Sequence, residues 1–238
     1  DSRSNRKLSK YIENFGIRSV SFGVNKASTY RLDQTIIKDN KTCAKGILRS
    51  GAEFFFKVNS PGIHHAKNAI GIVAVLEVLA LDVTQGIFEF SNWFPASGRG
   101  MITNIQCDKK YLVGSFTVID ETYNANPASV IASLNVLANF SRGDHETNDL
   151  TPGRKIAILG DMLELGHDAN KKHFELAEMF DFEEIDLIHC IGSCMKYFYK
   201  NLPTAKRGHW VERVEDFSGV ITNFVKDQDI IMLKASNG

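Results

Sequence analysis

Beyond residue 100 the chain alternates short apolar runs with amphipathic stretches, and this alternation restricts the possible folds more than any other feature. Strand patterns fall at Gly114–Ile119, Lys155–Leu159, Leu187–Ile191 and Ile230–Leu233, and helix patterns at Pro127–Phe140, Asn170–Phe180, Ser193–Tyr199 and Val214–Val225. Strands separated by helices imply parallel crossovers in a Rossmann-like, doubly wound α/β sheet. The earlier residues read differently. A helix pattern at Arg6–Phe15 and a short strand at Val20–Phe22 precede strand-like pieces at Thr35–Ile37, Lys45–Leu48 and Glu53–Val58. The spacing of the last three predicts a small antiparallel sheet. An apolar helix then leads from Pro61–Asn68 to near Leu81. Gly98–Gly100 reads as a hinge, which divides the chain into residues 1–94 and 95–238, and Ser141–Gly153 reads as a polar surface loop.

Within the second part, Asp120-Glu-Thr-Tyr-Asn-Ala-Asn-Pro127 joins a strand to a helix. Asn126 suits an N-cap and Pro127 the first helical position, where its missing N–H costs nothing. A cap alone does not require an acid, a phenol and two amides. The loop lies where open α/β sheets bind ligands, at the carboxyl end of a strand. A second loop, Gly160-Asp-Met-Leu-Glu-Leu-Gly166, leaves the next strand and brings Asp161 and Glu164 to the same sheet edge, with no chemical role assigned to either.

Composition excludes several classes. With 28 basic and 28 acidic side chains the formal net charge is zero, and no basic stripe interleaved with aromatics marks a nucleic-acid partner. The most apolar run, Ala69–Leu81, is too short to span a bilayer and contains Glu77. No apolar stretch follows the charged N-terminus, so no signal peptide is expected there. Cys43, Cys107, Cys190 and Cys194 form no C-x-x-C pair and read as reduced structural thiols. No G-x-G-x-x-G follows a strand and no G-x-x-x-x-G-K-[ST] occurs, which disfavours a dehydrogenase and leaves no phosphate-gripping loop. The absent initiator methionine and an end directly after a strand pattern predict a fragment.

The two loops together resemble the C-terminal domain of the Mur ligases. Tyr123-Asn-Ala-Asn-Pro127 and Gly160-Asp-Met-x-Glu-Leu-Gly166 are similar to the branch that adds D-alanyl-D-alanine to UDP-N-acetylmuramoyl-tripeptide. Pro61-Gly-Ile-His-x-x-x-Asn68 and Ser97-Gly-Arg99 resemble the end of the central ATPase domain and the start of the last domain. The resemblance implies a cytoplasmic, monomeric enzyme using ATP and Mg2+, with the phosphate loop and magnesium ligands outside these residues. It implies phosphorylation of the tripeptide carboxylate and attack on the acyl phosphate by the dipeptide amine, with no turnover by residues 1–238 alone.

By the same resemblance His64 and Asn68 sit beside adenine, Arg99 reaches the ATP phosphates, and Asp120 binds the ribose hydroxyls. Tyr123, Asn124 and Asn126 line the cleft towards the dipeptide, and Lys234 and Ser236 hold its carboxylate. Asn126 serves equally as a helix cap. The family pattern has asparagine at position 65, glycine at 235 and arginine at 237, where this chain has His65, Ala235 and Asn237. His173 is expected to face the cleft, while His145, His167, His189 and His209 read as surface or core residues. A binding module that lost catalysis, or another ligase of the superfamily such as the one extending folate with glutamate, remain the alternatives.

Overall fold

The computed structural model describes residues 2–109, 112–142 and 153–236, so most of the polar loop read at 141–153, together with His145 and Asn237, lies outside the described residues. The chain forms two compact units. One comprises residues 1–36, 41–59 and 63–93, and the other residues 37–40, 60–62 and 94–238.

The first unit contains α1 (Ser2–Phe15), β1 (Phe22–Gly23), β2 (Tyr30–Lys38), β3 (Lys41–Ile47), β4 (Glu53–Val58), α2 (Ile63–Val78) and α3 (Val83–Glu89). The strands lie in the order β1-β2-β3-β4, with β1 parallel to β2 and β3 antiparallel to β4. Asp39 and Asn40 both have positive φ, the backbone a two-residue hairpin turn requires. Ala66, Ala69, Ile70, Val73 and Ala74 of α2 pack on Tyr30, Leu32, Ala44, Phe56 and Val58 of the sheet.

The apolar pattern expected to run to Leu81 is interrupted. Ala80 adopts a left-handed φ of 54°, Leu81 N–H donates to Leu76 O and Ala80 N–H to Glu77 O. That pair of bonds is a Schellman stop, here without its usual glycine. Asp82 then caps α3 by accepting from Gln85 N at 3.0 Å.

The second unit holds β5 (Met101–Lys109), β6 (Leu112–Glu121), α4 (Pro127–Ala138), β7 (Lys155–Gly160), α5 (Ala169–Leu176), β8 (Leu187–Ile191), α6 (Met195–Asn201), β9 (Arg207–Val211), α7 (Val214–Phe224) and β10 (Ile230–Lys234). The sheet order is β5-β6-β10-β7-β8-β9. The five strands from β6 to β9 run parallel, and β5 is an antiparallel edge. Ala157, Leu159, Ile188, Ile230 and Met232 pack with α4, α5 and α6, while Ile156, Ile158 and Ile231 pack with Phe217 and Phe224 of α7. Central strands buried on both faces read as continuous apolar runs, as these do.

Two strands depart from the sequence reading. β5 and β9 lie at the sheet edges, where Asn104, Gln106, Arg207 and His209 replace a continuous apolar run. The sheet is therefore doubly wound with one antiparallel edge rather than wholly parallel. Because β10 inserts between β6 and β7, the carboxyl ends of three adjacent strands meet at Glu121, Lys234 and Gly160.

Candidate functional site

Asp120, at the end of β6, organises one side of this meeting point. Its Oδ2 accepts from Gly98 N at 2.8 Å and Ser97 Oγ at 3.2 Å, and its Oδ1 accepts from Thr122 Oγ1 at 2.7 Å and Thr122 N at 3.2 Å. Burial, the largest single influence, favours the protonated acid. The four donors together outweigh it and hold the carboxyl below its ordinary value. Tyr123 N–H returns a bond to Gly98 O at 2.9 Å, and Gly100 N–H donates to Asp120 O at 2.7 Å. Gly98 has φ +74°, and a Cβ there would lie 2.9 Å from Tyr123 N. The expected hinge segment is thus keyed into the loop after β6.

Above that key, the Arg99 guanidinium lies 3.6 Å from the centre of the Tyr123 ring. Both residues are exposed, and among the described residues no carboxylate pairs with Arg99. A cation held flat on an aromatic face with its N–H groups open is suited to an anionic ligand.

The other predicted residues of this unit are engaged by the protein itself. Asn126 caps α4: its Oδ1 accepts from Ser129 N at 2.9 Å, and Ser129 Oγ accepts from Asn126 N at 2.9 Å. Lys234 is 4% exposed; its Nζ donates to Asn124 O at 2.6 Å and Glu121 O at 3.2 Å, and pairs with Glu121 Oε2 at 3.6 Å. Burial pushes the Glu121 carboxyl up and the Lys234 ammonium down, and each opposes the shift of the other. Ser236 Oγ accepts from Leu163 N at 3.0 Å and Ala125 N at 3.3 Å, with Asn124 Oδ1 3.0 Å away. Ala235 is accommodated because a glycine faces it: a Cβ on Gly160 would sit 2.7 Å from the Ala235 methyl.

Asp161, left without a role by the sequence, acquires one, and His173 lies elsewhere than expected. The Asp161 carboxylate accepts from Met195 N at 2.7 Å and Cys194 N at 3.2 Å, so it caps α6 from the loop after β7. His173 is fully buried rather than facing a cleft. Its Nε2 accepts from Met162 N at 3.0 Å and its Nδ1 donates to Ala169 O at 2.7 Å, which fastens the 160–166 loop. His189 is a core residue whose imidazole burial lowers to about 4, with His209 and Arg154 contributing, while His167 and His209 are exposed.

His64 and Asn68 belong to the first unit. There a cavity of 470 Å³ is lined by Val58, His65, Asn68, Ile72, Phe90 and Trp93, among others. His65 is 9% exposed, its Nε2 has no hydrogen-bond partner among the described residues, and its ring centre lies 5.3 Å from that of Trp93. Burial, with His64 beside it, lowers the His65 imidazole to about 3. Nothing in the spacing of residues 61–68 marked His65 as the cavity's polar group; its apolar neighbours at helical spacing were the available signal. Among the described residues no cluster of three or more His, Cys, Asp or Glu side chains fits a metal ion, and no helix is long and apolar enough to cross a membrane.

A sheet of this order, with two loops keyed together at its carboxyl edge, defines a doubly wound α/β domain, a class whose ligands meet that edge. Residues 108–237, more than half of the chain, match the family described as Mur ligase, glutamate ligase domain, and the chain belongs to that family. The UDP-N-acetylmuramoyl-tripeptide--D-alanyl-D-alanine ligase of Rickettsia prowazekii is 27% identical over 186 residues, covering 77% of this chain and 37% of the relative. The ligase of the same name from Bacillus subtilis is 23% identical over 235 residues, covering 94% and 46%. The crystal structure of MurF ligase from Thermotoga maritima in complex with ADP shares the fold, with a TM-score of 0.73 at 21% identity, over 97% of this chain and 48% of that one. The chain spans less than half the length of these relatives.

Proposed function

We propose that this chain is the C-terminal part of an ATP-dependent ligase that joins D-alanyl-D-alanine to UDP-N-acetylmuramoyl-tripeptide. The observation that carries the reading is the loop after β6. Keyed to residues 97–100, it leaves the Arg99 guanidinium open on the Tyr123 ring at the carboxyl edge of the sheet. Arg99 meets the nucleotide phosphates. Asp120 takes the ribose: the Ser97 and Thr122 hydroxyls are rotors that ligand hydroxyls replace, while the bonds from Gly98 N and Thr122 N stay. Tyr123, Asn124 and Asn126 form the loop facing the incoming dipeptide.

The first unit is the closing part of the family's central ATP-binding domain. What supports this is α2, whose run from Ala69 to Leu76 is wholly apolar yet leaves Ile72 and Val75 exposed, with Val78 exposed in its last turn. A helix of that composition is built to be covered on both faces. Its His65- and Asn68-lined cavity suits a planar base, with the His64 ring tilted against that of His65 at a centre-to-centre distance of 3.9 Å. ATP supplies the phosphoryl group that activates the tripeptide carboxylate. Among the described residues no side-chain set fits Mg2+, so no step is assigned to it. The protein's part in such chemistry is charge neutralisation and alignment rather than covalent participation. The reading places the enzyme in the cytoplasm, where its nucleotide-linked substrate is made.

Calorimetric titration of residues 1–238 with ADP tests the assignment. Weak binding is expected, reduced about tenfold or more by Arg99→Ala and several-fold by Tyr123→Ala, as for loss of a charge-assisted contact. Affinity unchanged in both variants would refute the placement of the phosphates.

A further inference from the structure

Lys234, the last residue of β10, and Ser236 just beyond it lie where a ligand carboxylate is expected, yet both are engaged by the protein itself. The Lys234 ammonium donates to Asn124 O and Glu121 O and pairs with Glu121 Oε2 at 3.6 Å, in a position 4% exposed. Ser236 Oγ accepts from Leu163 N and Ala125 N, and its single proton has two acceptors in reach, Asn124 Oδ1 at 3.0 Å and Ala125 O at 3.2 Å. The Asn124 side chain is thereby oriented. Its Oδ1 points inward, accepting from Ala125 N at 2.8 Å and Ser236 Oγ at 3.0 Å. Its NH2 has no partner among the described residues, and the residue is exposed beside Tyr123.

We propose that Lys234 and Ser236 are positioning residues, and that the Asn124 side-chain NH2 they orient is the donor this loop offers to an anionic oxygen of the ligand. Lys234 fixes the Asn124 backbone through its carbonyl, and Ser236 fixes the side-chain oxygen while tying the loop after β6 to the loop after β7. The ligand oxygen belongs to a carboxylate or a phosphate. That part rests on the ligase reading; the positioning part does not.

NMR of the 15N-labelled 238-residue chain tests both parts. In Ser236→Ala the amide of Leu163 is expected to exchange about fivefold faster, the cost of one lost hydrogen bond, while Ala125 N keeps its 2.8 Å bond to Asn124 Oδ1. Met162, held by His173 instead, is expected to stay unchanged, and Ser236→Thr to restore protection. Lys234→Met is expected to shift the Asn124 side-chain resonances without ligand. Titration with D-alanyl-D-alanine and, separately, ADP identifies the anion by which one moves the Asn124 NH2 pair, with affinity for it reduced about fivefold in Ser236→Ala and recovered in Ser236→Thr. Weaker binding in Ser236→Ala with Leu163 exchange unaltered would make Ser236 a direct contact and overturn the proposal. So would a ligand that shifts Arg99 and Tyr123 but not the Asn124 NH2. If neither ligand binds, the ligase reading fails, while the exchange data still decide the positioning role.

Discussion

Replacing Asp161 with alanine removes a cap that the helix does not carry in its own sequence. The first turn of α6 has no side-chain cap from Cys194, and the N–H groups of Cys194 and Met195 both donate to the Asp161 carboxylate. Hydrogen bonds to a charged group contribute ~1.5–3 kcal/mol each when buried. Met195 is buried at 1% exposure, so its N–H loses its partner without access to water, whereas Cys194 is only half-buried and recovers part of its loss from solvent. Asp161→Ala is expected to cost the second unit about 3 kcal/mol, with the helix-end charge effect of ~0.3–1 kcal/mol included. For a unit of this size the loss lowers Tm by about 10 °C. Asp161→Asn keeps one acceptor and is expected to cost about half as much. The two tryptophans lie one in each unit, so Trp93→Phe leaves Trp210, bonded to Gly192 O at 2.9 Å, as the fluorescent reporter on the second. Urea unfolding followed at Trp210 gives the change directly. A shift of less than about 0.5 kcal/mol for Asp161→Ala, the size of an ordinary surface substitution, would refute the capping role.

The remaining predictions concern separate parts of the molecule. Asp229 is 1% exposed and accepts from Arg154 at 2.6 and 3.0 Å and from Lys226 N at 2.8 Å; Asp229→Ala removes the carboxylate of a half-buried Arg154, which keeps Phe224 O, and is expected to cost ~1.5–3 kcal/mol in urea unfolding. Gly98→Ala meets both a positive φ and Tyr123 N, and a loss of about 1–3 kcal/mol with weakened ADP binding is expected from melting and titration; wild-type values for both would contradict the keyed loop. The His189 imidazole sits near 4 in the folded chain against an ordinary 6.5, so between these values the unfolded state binds more protons. Its contribution is full above pH 6.5 and is lost as pH falls towards 4. His189→Phe is expected to flatten that part of the stability profile, measured by urea midpoints across the range.

The parallel core of the second unit was legible because β7 and β10 are buried on both faces and read as apolar runs, with shorter apolar stretches in β6 and β8. β5 and β9 were not. Edge strands bury only part of one face, and Arg207, Gly208 and His209 interrupt any run. The stop of α2 was hidden because Ala80 takes a left-handed conformation that sequence reading assigns to glycine. At the candidate site the loop 120–127 was legible from its surplus of polar groups beside a good N-cap. The direction in which those groups point was not, since burial of Lys234 depends on Glu121 and on the Asn124 carbonyl, which strand pairing brings together from 110 residues away. Asp161 was visible as an acid after a strand, but its partner helix starts 34 residues later and gives no local sign of needing it.

The ligase reading is tested most directly by phosphate release from the full product of the gene, with ATP, UDP-N-acetylmuramoyl-tripeptide and D-alanyl-D-alanine omitted in turn. Release that requires all three, with none from residues 1–238 alone, is the predicted result. Release that ignores the dipeptide, or no release with all three present, would contradict it.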